Sequence, residues 1–161
     1  KLKEMVLKVK AAAGDKILWF KAPTAEYPVQ QIVSVVQDHG GDAFVSFNAI
    51  GGYAVDIETR KFRSGSGGGG GYSGPGIKPY AMMCAHNSSK AAKIPVIGGG
   101  GITCARDVLE YIMAGAHAVQ IGSANLMRPD FMERLIEELY ELMDKMKIDS
   151  LDGIRGCAEY M

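Results

Sequence analysis

The sequence predicts a parallel α/β protein with about four βα units, half the eight that close a (β/α)8 barrel. Three observations predict it. Short apolar runs of strand length alternate with amphipathic helical patterns along the whole chain. The 21 glycines fall in clusters at the ends of those patterns instead of being spread evenly. The last two predicted strands each run directly into a glycine-bearing turn.

The elements follow in order. Lys3–Ala13 reads as a helix, with Leu2, Met5, Val6 and Val9 on one side and Gly14 as its stop. Lys16–Lys21 (KILWFK) is a buried strand. Val29–His39 is an amphipathic helix closed by the Gly40–Gly41 cap, and Ala43–Asn48 (AFVSFN) is the second strand. From Ala49 to about Gly76 the sequence predicts one long loop, densest in glycine over about 62–76. It includes the run SGSGGGGGYSG. Alone, that run could link two domains. Strand–helix alternation resumes at once after it, so a loop at a barrel mouth within a single 1–161 domain is the expectation. Pro79–Ala92 is a helix and Ile94–Gly98 a strand. Cys104–Ala114 is a helix ending at Gly115, and Ala118–Ile121 is the fourth strand. Asp130–Met146 is a long amphipathic helix, and Asp149–Met161 holds a short final one.

Composition narrows the function. With 18 basic and 18 acidic residues the formal charge is +0, which argues against nucleic acid or an anionic membrane as partner. No apolar run reaches the roughly 20 residues that span a bilayer, and KLKEMVLKVK has no signal-peptide core. Cys84, Cys104 and Cys157 are scattered without metal-ligand spacing. The expectation is a cytoplasmic protein with reduced thiols and no metal site.

Two glycine motifs carry the chemistry. Gly98–Gly101 lies between a strand and a helix, where missing Cβ atoms let backbone N–H groups reach an anion and the helix N-terminus adds its dipole. One βα unit later, Gly122–Ser123 closes the next strand with a hydroxyl. Loops after two successive final strands are where (β/α)8 barrels commonly bind phosphate. Lys21 closes an apolar strand, so its ammonium faces the barrel mouth and could balance negative charge, or could simply be solvated there. Asn48 closes the second strand with an amide able to donate and accept toward a planar substrate, or to start a turn. His39, His86 and His117 have no neighbours in sequence that suggest a triad or a metal. Glu133, Glu137 and Glu141 read as a solvated helix face.

Together these residues resemble the dihydroorotate dehydrogenase family, which includes the related dihydropyrimidine dehydrogenases. The resemblance is carried by Gly71–Pro79 (GYSGPGIKP), IPVIGGGGI at Ile94–Ile102, DVLEYIMAGAHAVQIGSA at Asp107–Ala124 and ELMDKMKIDSLDGIRG at Glu141–Gly156. It implies the C-terminal half of a flavin-binding (β/α)8 TIM barrel that oxidises dihydroorotate or a related dihydropyrimidine by hydride transfer to FMN. By position it implies FMN contacts at Lys21, Ser73, Gly74, Gly100, Gly101, Gly122 and Ser123, and a substrate contact at Asn48. It also implies a missing N-terminal half barrel or partner chain that carries the catalytic base, an oligomer, and an iron–sulfur flavoprotein subunit as partner. Two positions depart from the family pattern: Ala49 replaces a Thr or Ser, and KAPTA (Lys21–Ala25) replaces KLSPN. They keep open an FMN barrel for another substrate. The missing base keeps open a non-catalytic half-barrel subunit that binds a phosphorylated ligand.

Overall fold

A computed structural model describes residues 1–21, 28–63 and 69–160. Most of KAPTA and the centre of the glycine run therefore lie outside the described residues. In chain order the elements are α1 (Leu2–Ala13), β1 (Trp19–Lys21), α2 (Val29–Asp38), β2 (Ala43–Val45), β3 (Ile50–Gly52), β4 (Val55–Asp56), β5 (Lys61–Phe62) and β6 (Gly70–Tyr72). A 3-10 turn at Pro75–Ile77 leads into α3 (Lys78–Ala91). Then come β7 (Val96–Gly99), α4 (Ala105–Met113), β8 (Ala118–Gln120), α5 (Ser123–Met127), α6 (Phe131–Met146) and α7 (Leu151–Ile154).

Four strands form one parallel sheet in the order β1-β2-β7-β8, with Trp19 beside Ala43, Phe44 beside Val96 and Ile97 beside Ala118. Each strand is followed by helix before the next, so the sheet advances one neighbour at a time, as one side of a barrel does. The helices pack because their apolar residues recur at helical spacing. On α2, Val29, Ile32, Val33 and Val36 are all buried; on α4, Val108, Leu109 and Ile112 are. One core joins Val6 of α1 and the α2 stripe to Phe44 of β2. A larger one gathers α3, α4 and the start of α6 around Tyr111, Ile112, Phe131 and Leu135. The inner strands β2 and β7 are buried at every position, whereas β1 and β8 alternate exposed and half-buried residues. Those two strands are the open edges of the sheet, and their partly exposed residues are what further strands of a barrel would cover.

Three features differ from the prediction. Residues 49–76 are not one loop. β3 pairs antiparallel with β6, setting Ile50 against Tyr72, and β4 pairs antiparallel with β5, setting Val55 against Phe62. The turn between β4 and β5 is fixed by the Asp56 carboxylate, which accepts the N–H groups of Glu58 and Thr59 at 3.1 and 2.9 Å. The β-branched and aromatic residues flanking the glycines favour strand pairing, a signal that the glycine density hid. Secondly, the residues after Gly122 form α5, too short for an apolar period to mark it. Strand ladders are also shorter than predicted. KILWFK is ladder only over Trp19–Lys21 and, as an edge strand with Ile17 and Trp19 exposed, is not the buried strand expected; AFVSFN is ladder only over Ala43–Val45, although Ser46 and Phe47 stay buried. Among the described residues no helix is long and apolar enough to cross a membrane.

Candidate functional site

The C-terminal ends of parallel strands point the same way, so whatever the strands carry there is gathered at one face of the sheet. A cleft of about 250 Å³ opens on this face, and Lys21, Asn48, Ser73, Gly74, Gly100, Gly101, Gly122 and Ser123 all line it. Every residue nominated from the sequence is therefore in one place. The volume falls just below the roughly 300–1,000 Å³ of small-molecule pockets, as expected where half a barrel supplies half the walls.

The glycine wall is formed where β7 and β8 end side by side. Register pairs Gly99 with Gln120, so Gly100–Gly101 and Ile121–Gly122 continue as neighbours beyond the ladder. Gly100 and Gly101 take φ of +114° and +73°, torsions that other residues rarely adopt. A Cβ on Gly100 would lie 2.8 Å from Ala81 Cβ and 2.9 Å from the Phe47 ring. One on Gly101 would lie 2.7 Å from Lys78 Cβ and 2.9 Å from its backbone N. Packing alone thus requires both glycines. A separate fact points to a ligand: Gly101 and Ile102 are buried, yet their N–H groups meet no acceptor among the described residues. Buried N–H groups nearly always have partners, and two adjacent ones at a cleft form an anion-binding surface.

The amides of Thr103 and Cys104, just before α4, are satisfied within the fold and are not part of that surface. Asp107 Oδ2 accepts the N–H of Thr103 at 2.7 Å, the Thr103 hydroxyl at 3.0 Å and the N–H of Cys104 at 3.2 Å. Its Oδ1 accepts from Lys78 Nζ at 2.6 Å, and Lys78 also donates to Glu110 Oε2 at 2.9 Å. Burial raises the Asp107 pKa, but the Lys78 ammonium and the Thr103 donors outweigh it and hold the carboxyl below its ordinary value. The hydrogen bond to Asp107, then that to Glu110, holds the Lys78 ammonium above its own. This network ties the start of α3 to the start of α4 directly beneath the glycine turn.

The opposite wall is more open. Lys21 ends β1 and is exposed; Asn48, Ser73 and Gly74 stand at the loop after β2 and beside β6. Asn48 Oδ1 accepts the Ala49 N–H at 3.0 Å, which leaves its Nδ2 as a donor toward the cleft. The histidines serve the scaffold. His39 Nδ1 bonds the Val35 carbonyl, His86 bonds the Ala114 carbonyl and the Tyr160 hydroxyl, and His117 Nδ1 accepts the Val96 N–H.

Two residues escaped the sequence reading. Asp107 could have been found from the capping-box spacing Cys104-Ala-Arg-Asp107. Tyr111, whose hydroxyl donates to the Gly100 carbonyl at 2.7 Å, is the aromatic residue on the buried stripe of α4 that carries a polar tip.

Comparison with known proteins bears on all of this. Residues 1–143 match the sequence model of the family described as dihydroorotate dehydrogenase. The chain belongs to the dihydroorotate dehydrogenase family. Among relatives, it is 45% identical over 148 residues to the dihydroorotate dehydrogenase B (NAD(+)) catalytic subunit of Solidesulfovibrio magneticus, covering 92% of this chain and 48% of that one. The Maridesulfovibrio salexigens protein of the same name is 40% identical over 148 residues, with the same coverage. The chain spans about half the length of the curated relatives it matches. The dihydroorotate dehydrogenase of Eimeria tenella, solved in complex with ferulenol, superposes with a TM-score of 0.68 over 88% of this chain and 38% of its own. At 22% identity that likeness establishes the fold, part of a (β/α)8 barrel.

Proposed function

We propose that this chain is the C-terminal half of an FMN-dependent dihydroorotate dehydrogenase barrel, oxidising dihydroorotate or a closely related dihydropyrimidine. The observation that carries the reading is the gathering of all eight nominated residues around one cleft at the strand ends. The backbone N–H groups of Gly101 and Ile102 fit a phosphate, as do the open ground at Gly122 and the hydroxyl of Ser123. Lys21, exposed on the opposite wall, holds a positive charge where the isoalloxazine would lie, and Ser73–Gly74 border the same space. Asn48 Nδ2 is placed to orient a carbonyl of the substrate. Bound there, FMN supplies the acceptor for the hydride that leaves the substrate carbon. The base that takes the proton, as the other hydrogen leaves as hydride, is assigned to no residue of this chain. We read it as belonging to the other half of the barrel, whether one polypeptide or a partner chain.

The relatives' name, catalytic subunit of an NAD(+)-type enzyme, supports a partner that passes electrons on to NAD+. An iron–sulfur flavoprotein subunit is the kind of partner we propose, within a cytoplasmic oligomer.

The test is an absorbance spectrum of the complete purified assembly before and after anaerobic addition of dihydroorotate. A flavin band that bleaches is the expected result. A flavin band that persists would keep the cofactor and remove the substrate. No flavin in a folded assembly would overturn the reading.

A further inference from the structure

Tyr111 lies beneath the glycine turn and is fully buried. Its ring occupies the space that a side chain at Gly98 would need, with Cδ1 2.6 Å from that Cβ position. Its hydroxyl donates to the Gly100 carbonyl at 2.7 Å. That carbonyl and the Gly101 N–H belong to one peptide unit, and the unit is trans. In a trans peptide the C=O and N–H point in opposite directions. Holding the carbonyl down toward α4 therefore turns the Gly101 N–H up toward the cleft that Gly101 lines.

The constraint matters because of what flanks the unit. Glycine populates both signs of φ with similar ease, so a Gly–Gly peptide has alternative orientations that other dipeptides lack. Rotated by half a turn, the unit would present a carbonyl oxygen to an anion in place of a donor. The anchor is dependable: burial first, then the charge of Asp107, pushes the Tyr111 hydroxyl far above the working pH range, so it stays a donor.

We propose that Tyr111 is a positioning residue that locks the Gly100–Gly101 peptide unit with its N–H toward the cleft, and so sets the affinity for a phosphomonoester. The proposal rests on the reading of this wall as the FMN phosphate site. Tyr111→Phe tests it, because the variant keeps the ring that fills the space at Gly98 and removes only the O–H. Dissociation constants for FMN and for riboflavin, which lacks the phosphate, are measured on the complete assembly. Loss of one oriented donor predicts about a tenfold weaker FMN affinity, with riboflavin affinity changed less than about twofold. An unchanged FMN-to-riboflavin ratio would overturn the role of Tyr111 while leaving the site intact. A wild-type protein that binds FMN no more tightly than riboflavin would remove the phosphate reading and this proposal with it. If the Phe variant fails to fold, the wild-type assembly is titrated with inorganic phosphate and followed by amide NMR. The Gly101 resonance is expected to move while that of Thr103, already held by Asp107, stays. An unmoved Gly101 amide overturns the proposal.

Discussion

The two walls of the cleft are built on different terms. On the glycine wall, Gly99, Gly101 and Ile102 are buried, the turn is packed against Ala81, Phe47 and Lys78, and Tyr111 and Asp107 brace it from below. On the opposite wall, Lys21, Asn48 and Ser73 are exposed, as is the aromatic Tyr72 at the end of β6. A rigid, preshaped wall suits the fixed geometry of a phosphate. Exposed polar side chains suit the part of the site where another half of the barrel completes the enclosure and a substrate enters. Substitutions on the first wall should therefore affect folding and cofactor retention together, and those on the second should affect turnover.

The sharpest way to break that contrast is Gly101→Leu. The side chain would need φ of +73° and would start 2.7 Å from Lys78 Cβ and 2.9 Å from its backbone N. Strain and overpacking of this kind cost on the order of 2–5 kcal/mol together. The expected outcome is complete loss of flavin on desalting, with a lowered unfolding midpoint. Full flavin content in that variant would mean that the phosphate does not sit on this turn.

Lys21→Ala addresses the other wall. Removing a preorganised charge from a reacting centre lowers turnover by roughly 10²-fold, while flavin content should remain close to that of the wild type. Steady-state kinetics beside a flavin-to-protein ratio separates the two effects. Undiminished turnover would make Lys21 a solvated strand end and nothing more.

Asp107→Asn weakens the brace without touching the cleft. It keeps an acceptor for the Thr103 and Cys104 amides but loses the charge facing Lys78, at a cost of about 1–2 kcal/mol. The pH dependence carries a sign. The Asp107 carboxyl is held below its ordinary value of 3.8, so its contribution is intact above that value and lost as pH falls through the folded one. Lys78 is held above its ordinary 10.5, so its contribution is intact below that value and lost as pH rises through the folded one. Denaturant midpoints between pH 3 and 7 should thus fall less steeply toward acid in the variant. Parallel acid limbs in the two proteins would show that the pair contributes little to stability.

How far the sequence disclosed all this depended on the range of the interactions. The parallel sheet was legible because α2 and α4 write their buried faces as i, i+3, i+4 patterns, and each is bounded by glycine. The strand-end part of the cleft was legible because the sheet itself brings those residues together; Ser73 and Gly74, which follow β6, came only from the family resemblance. The hairpins were not legible, since pairing Ile50 with Tyr72 spans a glycine run that locally reads as loop. Nor was the capture of the Thr103 and Cys104 amides, because Asp107 looks in sequence like any first-turn acid until Lys78 is seen across from it. The glycines themselves were only half informative. Their clustering marked the turn, but Gly100 and Gly101 are required by packing whether or not a ligand binds.

Gly122 separates those two explanations. A Cβ there meets nothing within 4 Å, and its φ of −115° is on the side open to other residues. Gly122→Ala should therefore leave stability within about 0.5 kcal/mol of the wild type. Any effect must come from what lies in the cleft. If phosphate approaches the Gly122–Ser123 backbone closely, the added methyl group weakens FMN binding by about three- to tenfold, with riboflavin unaffected. Equal FMN affinity in variant and wild type would confine the phosphate to the Gly100–Ile102 turn and leave Ser123 as the start of α5, with no part in holding the cofactor.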